Sequence, residues 1–221
     1  GVDGAVLVQP SFLGTDNQYL VEALGTYRNR FRGVAVVSPT ITEAELDAMA
    51  TAGVVGIRLN FMYGKLPDLT AQRYQELFMR TAEHGWHIQI HLDGPRWLSV
   101  LPPLLNSGAV LVFDHFGRPD PRQGVHCPGW HALLEAGRSG HHWVKLSAPY
   151  RLGGLDPHTL TNALLDAFGP DRLVWASDFP WTQFEQGQRY AEHLKNLDLW
   201  INDPDVRAQV LGLNPATLYG F

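Results

Sequence analysis

Asp178 closes an apolar run, Leu173-Val174-Trp175-Ala176-Ser177-Asp178, and leads into an aromatic turn, Phe179-Pro180-Trp181. A carboxylate delivered in this way can act as a general base toward water, and Pro180 limits the backbone donors that would otherwise make it a simple helix cap. The neighbouring aromatic rings offer an apolar wall, so the expected shift of its pKa is upward. His115 stands in Phe113-Asp114-His115-Phe116-Gly117-Arg118-Pro119. Two readings are open for it. It is either a core imidazole tied down by Asp114, or an imidazole that polarises a substrate carbonyl or ligates a metal, with Arg118 beside it as an anion anchor.

Other apolar runs also end in polar residues: Gln9, Ser38, Arg58 with Asn60, His91 with Asp93, and Lys145 with Ser147 and Arg151. Any one of these can be a cap or a satisfied buried group, but the set combines carboxylates, imidazoles and cations. His87 and His91 share one strand, which puts their Cα atoms about 13 Å apart, too far to share a metal ion. His84, His141 and His142 precede their strands and His126 lies in a loop, so all four read as structural. His131, His158 and His193 fall in helical or helix-start positions and read as surface residues. A nucleophile is poorly supported: there is no G-x-S-x-G or H-E-x-x-H, and Cys127, in a loop beside Pro128, reads as a bystander thiol. Water activated by Asp178 remains.

These residues need elements to bring them together. Seven short apolar runs recur, Ala5 to Gln9, Arg32 to Ser38, Val54 to Asn60, His87 to Asp93, Val110 to His115, Trp143 to Ser147 and Leu173 to Asp178. Helical patterns separate them, as in βα units. Val110-Leu111-Val112-Phe113 is continuously apolar, as parallel strands covered on both faces are. Thr42 with Glu45 forms a capping-box pattern closed by Gly53, and Asp156-Pro157 reads as N-cap and first helical residue. Tyr74, Leu77, Phe78 and Ala82 make one apolar stripe that ends at Gly85. With no G-x-G-x-x-G and no G-x-x-x-x-G-K-[ST], an open nucleotide-binding sheet loses ground to a closed (β/α)₈ TIM barrel. In that barrel the strand ends form one chemical rim. Seven strands in 221 residues then lead to the expectation of a single barrel domain, 1–221, with the first β/α unit absent from this chain.

Composition narrows the function. With 17 basic and 22 acidic residues the net charge is −5, which opposes nucleic acid or an anionic membrane as the main partner. Hydrophobic residues make up 45% of the chain, yet no apolar run approaches the length of a membrane span. One cysteine excludes intrachain disulfides and cysteine-cluster metals, and no targeting segment is visible after Gly1, so the expected location is cytoplasmic. The oligomeric state is left open.

Several segments together resemble the amidohydrolase superfamily, in the branch of the pyrone-dicarboxylate and sugar-acid lactonases. They are Gly56-Ile57-Arg58-Leu59-Asn60-Phe61, Asp114-His115-Phe116-Gly117-Arg118-Pro119-Asp120, Val144-Lys145-Leu146-Ser147-Ala148-Pro149-Tyr150-Arg151, Trp175-Ala176-Ser177-Asp178-Phe179-Pro180-Trp181 and Asn214-Pro215-Ala216-Thr217-Leu218-Tyr219. The resemblance implies a hydrolase that opens a lactone, with Asp178 activating water and His115 beside the scissile carbonyl. It also implies Arg58, Arg118 and Arg151 as carboxylate contacts, joined as candidate substrate residues by Gln9, Asn60, His91 and Lys145. A divalent metal such as zinc, on His115 and Asp178, or no metal at all, is compatible with it. The chain departs from the family in having no H-x-H pair. The alternatives are a metal-dependent decarboxylase of the same superfamily and an inactive metabolite-binding barrel.

Overall fold

The computed structural model describes residues 2–221. Among them run seven strands: β1 (Ala5–Val8), β2 (Phe31–Ala35), β3 (Val54–Asn60), β4 (His87–His91), β5 (Val110–Phe113), β6 (Trp143–Leu146) and β7 (Leu173–Trp175). Each overlaps one of the seven apolar runs. The helices are α1 (Gln18–Thr26), α2 (Glu43–Ala52), α3 (Gln72–Glu83), α4 (Trp97–Leu105), α5 (Pro128–Gly137), α6 (Pro157–Phe168), α7 (Tyr190–Trp200), α8 (Pro204–Leu211) and α9 (Leu213–Tyr219). This alternation is the expected α/β class. No helix among the described residues is long and apolar enough to cross a membrane.

The chain divides into two compact units. One runs through His91 and includes Pro102–Leu111 and Ala216–Phe221; the other comprises Leu92–Leu101 and Val112–Pro215. In the first unit β1 to β4 pair in chain order and in parallel, with Ala5 opposite Phe31, Val34 opposite Gly56 and Asn60 opposite His91. Parallel pairing sends the C-terminal ends of these strands the same way, so Gln9, Asn60 and His91 leave one edge together. The helices form for local reasons. Thr42 accepts from the Glu45 amide while the Glu45 carboxylate accepts from the Thr42 amide, which completes the capping box of α2. Gly53 closes the helix at φ 104°, a conformation that costs an L residue but not glycine. On α3 the stripe buries Leu77 and Phe78, each contributing about 1.5–3 kcal/mol of apolar transfer.

In the second unit Val112 and Phe113 pair with Trp143 and Val144, and Val144 to Leu146 pair with Leu173 to Trp175, again in parallel. Asp114, Ser147 and the residues after Trp175 therefore leave their strands at one end. Phe113 anchors the core, edge-on to Trp97 at 5.2 Å and to Phe168 at 6.0 Å. Asp156 caps α6 by accepting from the amides of His158 and Thr159. At the start of α5 the backbone of Gly129 approaches Gly94 so closely that a Cβ there would stand 1.8 Å from the Gly94 carbonyl oxygen. Glycine is obligatory at that crossing.

Candidate active site

The strongest cluster lies in the second unit, and its first part is a turn built against its own preference. His115, Phe116 and Arg118 all adopt positive φ, at 52°, 58° and 43°. Such conformations cost about 1–3 kcal/mol each for residues with a Cβ and persist only where the surroundings dictate them. Two buried tryptophans do so here: Trp130 Nε1 donates to the Phe116 carbonyl and Trp97 Nε1 to the Gly117 carbonyl, both at 2.8 Å. The Gly94 amide adds a 2.6 Å bond to the carbonyl of Arg118. The turn thus presents His115 from a rigid seat.

Its Nδ1 lies 2.8 Å from the hydroxyl of Ser147, the residue that follows β6. Its Nε2 lies 3.7 Å from Oδ1 of Asp178. Asp178 itself sits at φ 55° beyond β7, and its backbone carbonyl accepts from the Trp181 amide. Its other oxygen, Oδ2, accepts from the Tyr150 hydroxyl at 2.6 Å and from Arg151 Nε at 2.8 Å. Arg151 also donates through Nη2 to the Thr182 carbonyl. One carboxylate oxygen is thus capped by two donors, and the other faces an imidazole across a gap wider than a hydrogen bond. An oxygen atom at about 2.8 Å from both groups fits that gap geometrically.

The electrostatics correct one expectation. Burial pushes the Asp178 pKa up, as the aromatic wall suggested, but the charge of a protonated His115, the Tyr150 hydroxyl and the Arg151 guanidinium outweigh it, and the net shift is downward. Tyr150 shifts the opposite way: burial, its bond to Asp178 and the carboxylate charge hold its proton on well above the ordinary phenol range. A second correction concerns His193. A surface position was expected, yet it is buried within α7, its ring stacked on Trp181 at 5.6 Å and 23° and edge-on to Tyr150 at 5.6 Å. Its Nε2 meets Gln188 Oε1 at 2.7 Å, and burial lowers its pKa against the pull of Asp178.

The remaining residues sort as follows. Lys145 is buried and ion-paired to Asp114 at 3.4 Å, and Ser147 holds the Nδ1 side of His115. Arg118 ends the His115 turn. In the first unit, Arg58 Nη2 lies 3.1 Å from Nδ1 of His91, and since guanidinium only donates, that nitrogen accepts. Ser11 receives bonds from Arg58 and Asn60. The Gln9 amide donates to the Asp16 carbonyl at 2.5 Å, and its buried Oε1 finds no partner among the described residues. Ser38 bonds Thr40 in a local turn, and Cys127 is fully buried. Tyr150 and His193 were not singled out from sequence. Tyr150 lies in a segment already marked by its neighbours, whereas nothing local signals His193.

A zinc ion in the second unit would find His115 Nε2 and Asp178 Oδ1. A tetrahedral site needs three or four protein ligands. Among the described residues of this unit, His115 Nε2 and Asp178 Oδ1 would supply two of those ligands.

Comparison with known proteins places the chain. The amidohydrolase family model (Amidohydro_2) matches residues 1–221. A 2-pyrone-4,6-dicarboxylate hydrolase of Comamonas testosteroni is 33% identical over 189 residues, which is 79% of this chain and 62% of that protein. The chain thus spans less than two thirds of that relative. A 4-sulfomuconolactone hydrolase of Hydrogenophaga intermedia is 27% identical over all of this chain and 75% of its own length. A Pseudomonas putida structure, provisionally named a 2-pyrone-4,6-dicarboxylic acid hydrolase, superposes with a TM-score of 0.93 at 37% identity, covering 100% of this chain and 83% of that one. By the family match and this shared α/β, TIM-like fold, the chain belongs to the amidohydrolase family.

Proposed function

We propose that the protein is a hydrolase that opens a lactone bearing carboxylate groups or of the sugar-acid type. One observation carries the reading: the uncapped oxygen of Asp178 and Nε2 of His115 stand 3.7 Å apart, framing a place for water. In this reading water gives a proton to Asp178 Oδ1 as its oxygen attacks the carbonyl carbon. His115 and the nearby cations stabilise the tetrahedral oxyanion, the ring C–O bond breaks, and the departing oxygen takes up the proton.

The weakness of the base sets the division of labour. A carboxylate near pKa 4 is about twelve units short of water at 15.7, and the downward shift of Asp178 widens the gap. Proton transfer must therefore accompany attack, and most of the barrier must fall through stabilisation of the oxyanion. Lactones suit such a site because their ring oxygen leaves without prior protonation when it is enolic. The relatives named above act on lactones bearing carboxylate or sulfonate groups, which is the support for an anionic substrate. Arg118, Lys145 and Arg151 of the second unit are the proposed cationic contacts.

The test is a pH-stat assay of acid release from 2-pyrone-4,6-dicarboxylate, 4-sulfomuconolactone and a set of sugar-acid 1,5-lactones. Ring opening of at least one of them at enzymatic rates is expected. Failure on all of them, with the protein folded, overturns the reading.

A further inference from the structure

We propose that Tyr150 is the positioning residue of this site: by holding Oδ2 of Asp178 it leaves Oδ1 as the oxygen that meets His115 and the reacting water. The inference rests on the hydrolase reading above, and deepens it.

A carboxylate pivoting about its Cβ–Cγ bond exchanges its two oxygens, and a general base that does so spends part of its time aimed away from its water. Two donors converging on one oxygen stop the exchange. Arg151 is one, but it ends a long side chain and is also bound to the Thr182 carbonyl. Tyr150 is the stiffer of the pair, with only two side-chain torsions before its hydroxyl. Its bond to Oδ2, at 2.6 Å, is in the short class of charge-assisted O–H···O⁻ contacts.

The ring is also walled in. Phe184 lies against it at 5.0 Å, tilted by 40°, and His193 meets it edge-on at 5.6 Å and 74°. The Arg151 guanidinium lies 5.3 Å from its centroid. His193 is in turn stacked on Trp181, three residues beyond Asp178. The turn that carries the carboxylate and the ring that holds its oxygen are therefore braced against the same buried imidazole. A hydroxyl so placed pays little entropy to keep its partner. Burial and the carboxylate keep the phenol protonated, so Tyr150 donates throughout and gives up no proton.

Tyr150→Phe tests this, because it removes the hydroxyl and retains the ring that packs on Phe184 and His193. With 2-pyrone-4,6-dicarboxylate as the probe, kcat is expected to fall roughly 10- to 100-fold, the worth of one charge-assisted bond, while KM stays within about twofold. In a crystal structure of the variant, the Asp178 carboxylate is expected to be displaced from its wild-type orientation by more than about 20°. Wild-type kcat, or a raised KM at unchanged kcat, overturns the proposal, and so does an unmoved carboxylate whatever the rate. If the wild-type protein opens no lactone, the hydrolase reading falls separately, and the crystal comparison alone decides the positioning role: a displaced carboxylate supports it and an unmoved one refutes it.

Discussion

Asp178→Asn removes the proposed base while sparing its shape. The amide oxygen can replace Oδ2 and accept from Tyr150 and Arg151, and the amide nitrogen then takes the place of Oδ1 opposite His115. Two consequences separate. The rate loses general-base catalysis, which is worth about 10²- to 10⁴-fold, or roughly 3–5 kcal/mol of barrier. Stability changes less: the Arg151 and Asp178 side chains are 12% and 21% exposed and keep their hydrogen bonds, but the buried guanidinium loses its counter-charge. A cost of about 1–2 kcal/mol at neutral pH follows, below that of deleting a fully buried partner. The assay is kcat/KM on whichever lactone the wild-type protein opens, paired with urea unfolding to show that the variant is folded. Turnover within a few fold of wild type would remove Asp178 from its assigned role.

The pH dependence follows from the same carboxylate. The pKa of Asp178 is lowered in the folded protein, so its stabilising charge is fully present above the unfolded value near 4 and is lost only as pH falls through the lower folded value. The acid limb of kcat/KM assigned to Asp178 is therefore expected below about pH 4, and a controlling limb between about pH 6 and 7 would point to an imidazole as base instead. Ser147→Ala leaves His115 Nδ1 without its 2.8 Å partner and is expected to cost about 1–2 kcal/mol in transition-state stabilisation, roughly 5- to 30-fold in kcat. An unchanged rate would show that Ser147 does not orient the ring. Gly129→Ala drives a methyl into the Gly94 carbonyl and is expected to lower unfolding stability by more than about 3 kcal/mol, read from the urea midpoint. A loss under about 1 kcal/mol would mean that the α5 crossing yields easily.

The seven strands were legible because each is a short apolar run ended by a polar residue, and the caps at Thr42 and Asp156 were legible because capping is local chemistry. Asp178 and His115 were legible for the same reason: each stands where an apolar run stops. What escaped the sequence was contact between distant segments. The pKa shift of Asp178 was expected upward from its adjacent aromatics, but the groups that reverse it, His115, Tyr150 and Arg151, stand 63, 28 and 27 positions away. His193 was placed on the surface because a helical position has an outward face by default, and nothing local showed that Trp181 and Tyr150 would cover it. Lys145 was read as a substrate contact from its place near a strand end; the structure also pairs it with Asp114 across neighbouring strand ends.

The central claim is that water, held between Asp178 and His115, attacks the lactone directly. A single turnover in ¹⁸O-water, with enzyme in excess over 2-pyrone-4,6-dicarboxylate, tests it. The account predicts that the newly formed carboxylate carries solvent ¹⁸O from the first turnover and that Asp178 carries none. Product oxygen drawn from Asp178, with the label appearing in its side chain instead, would contradict it.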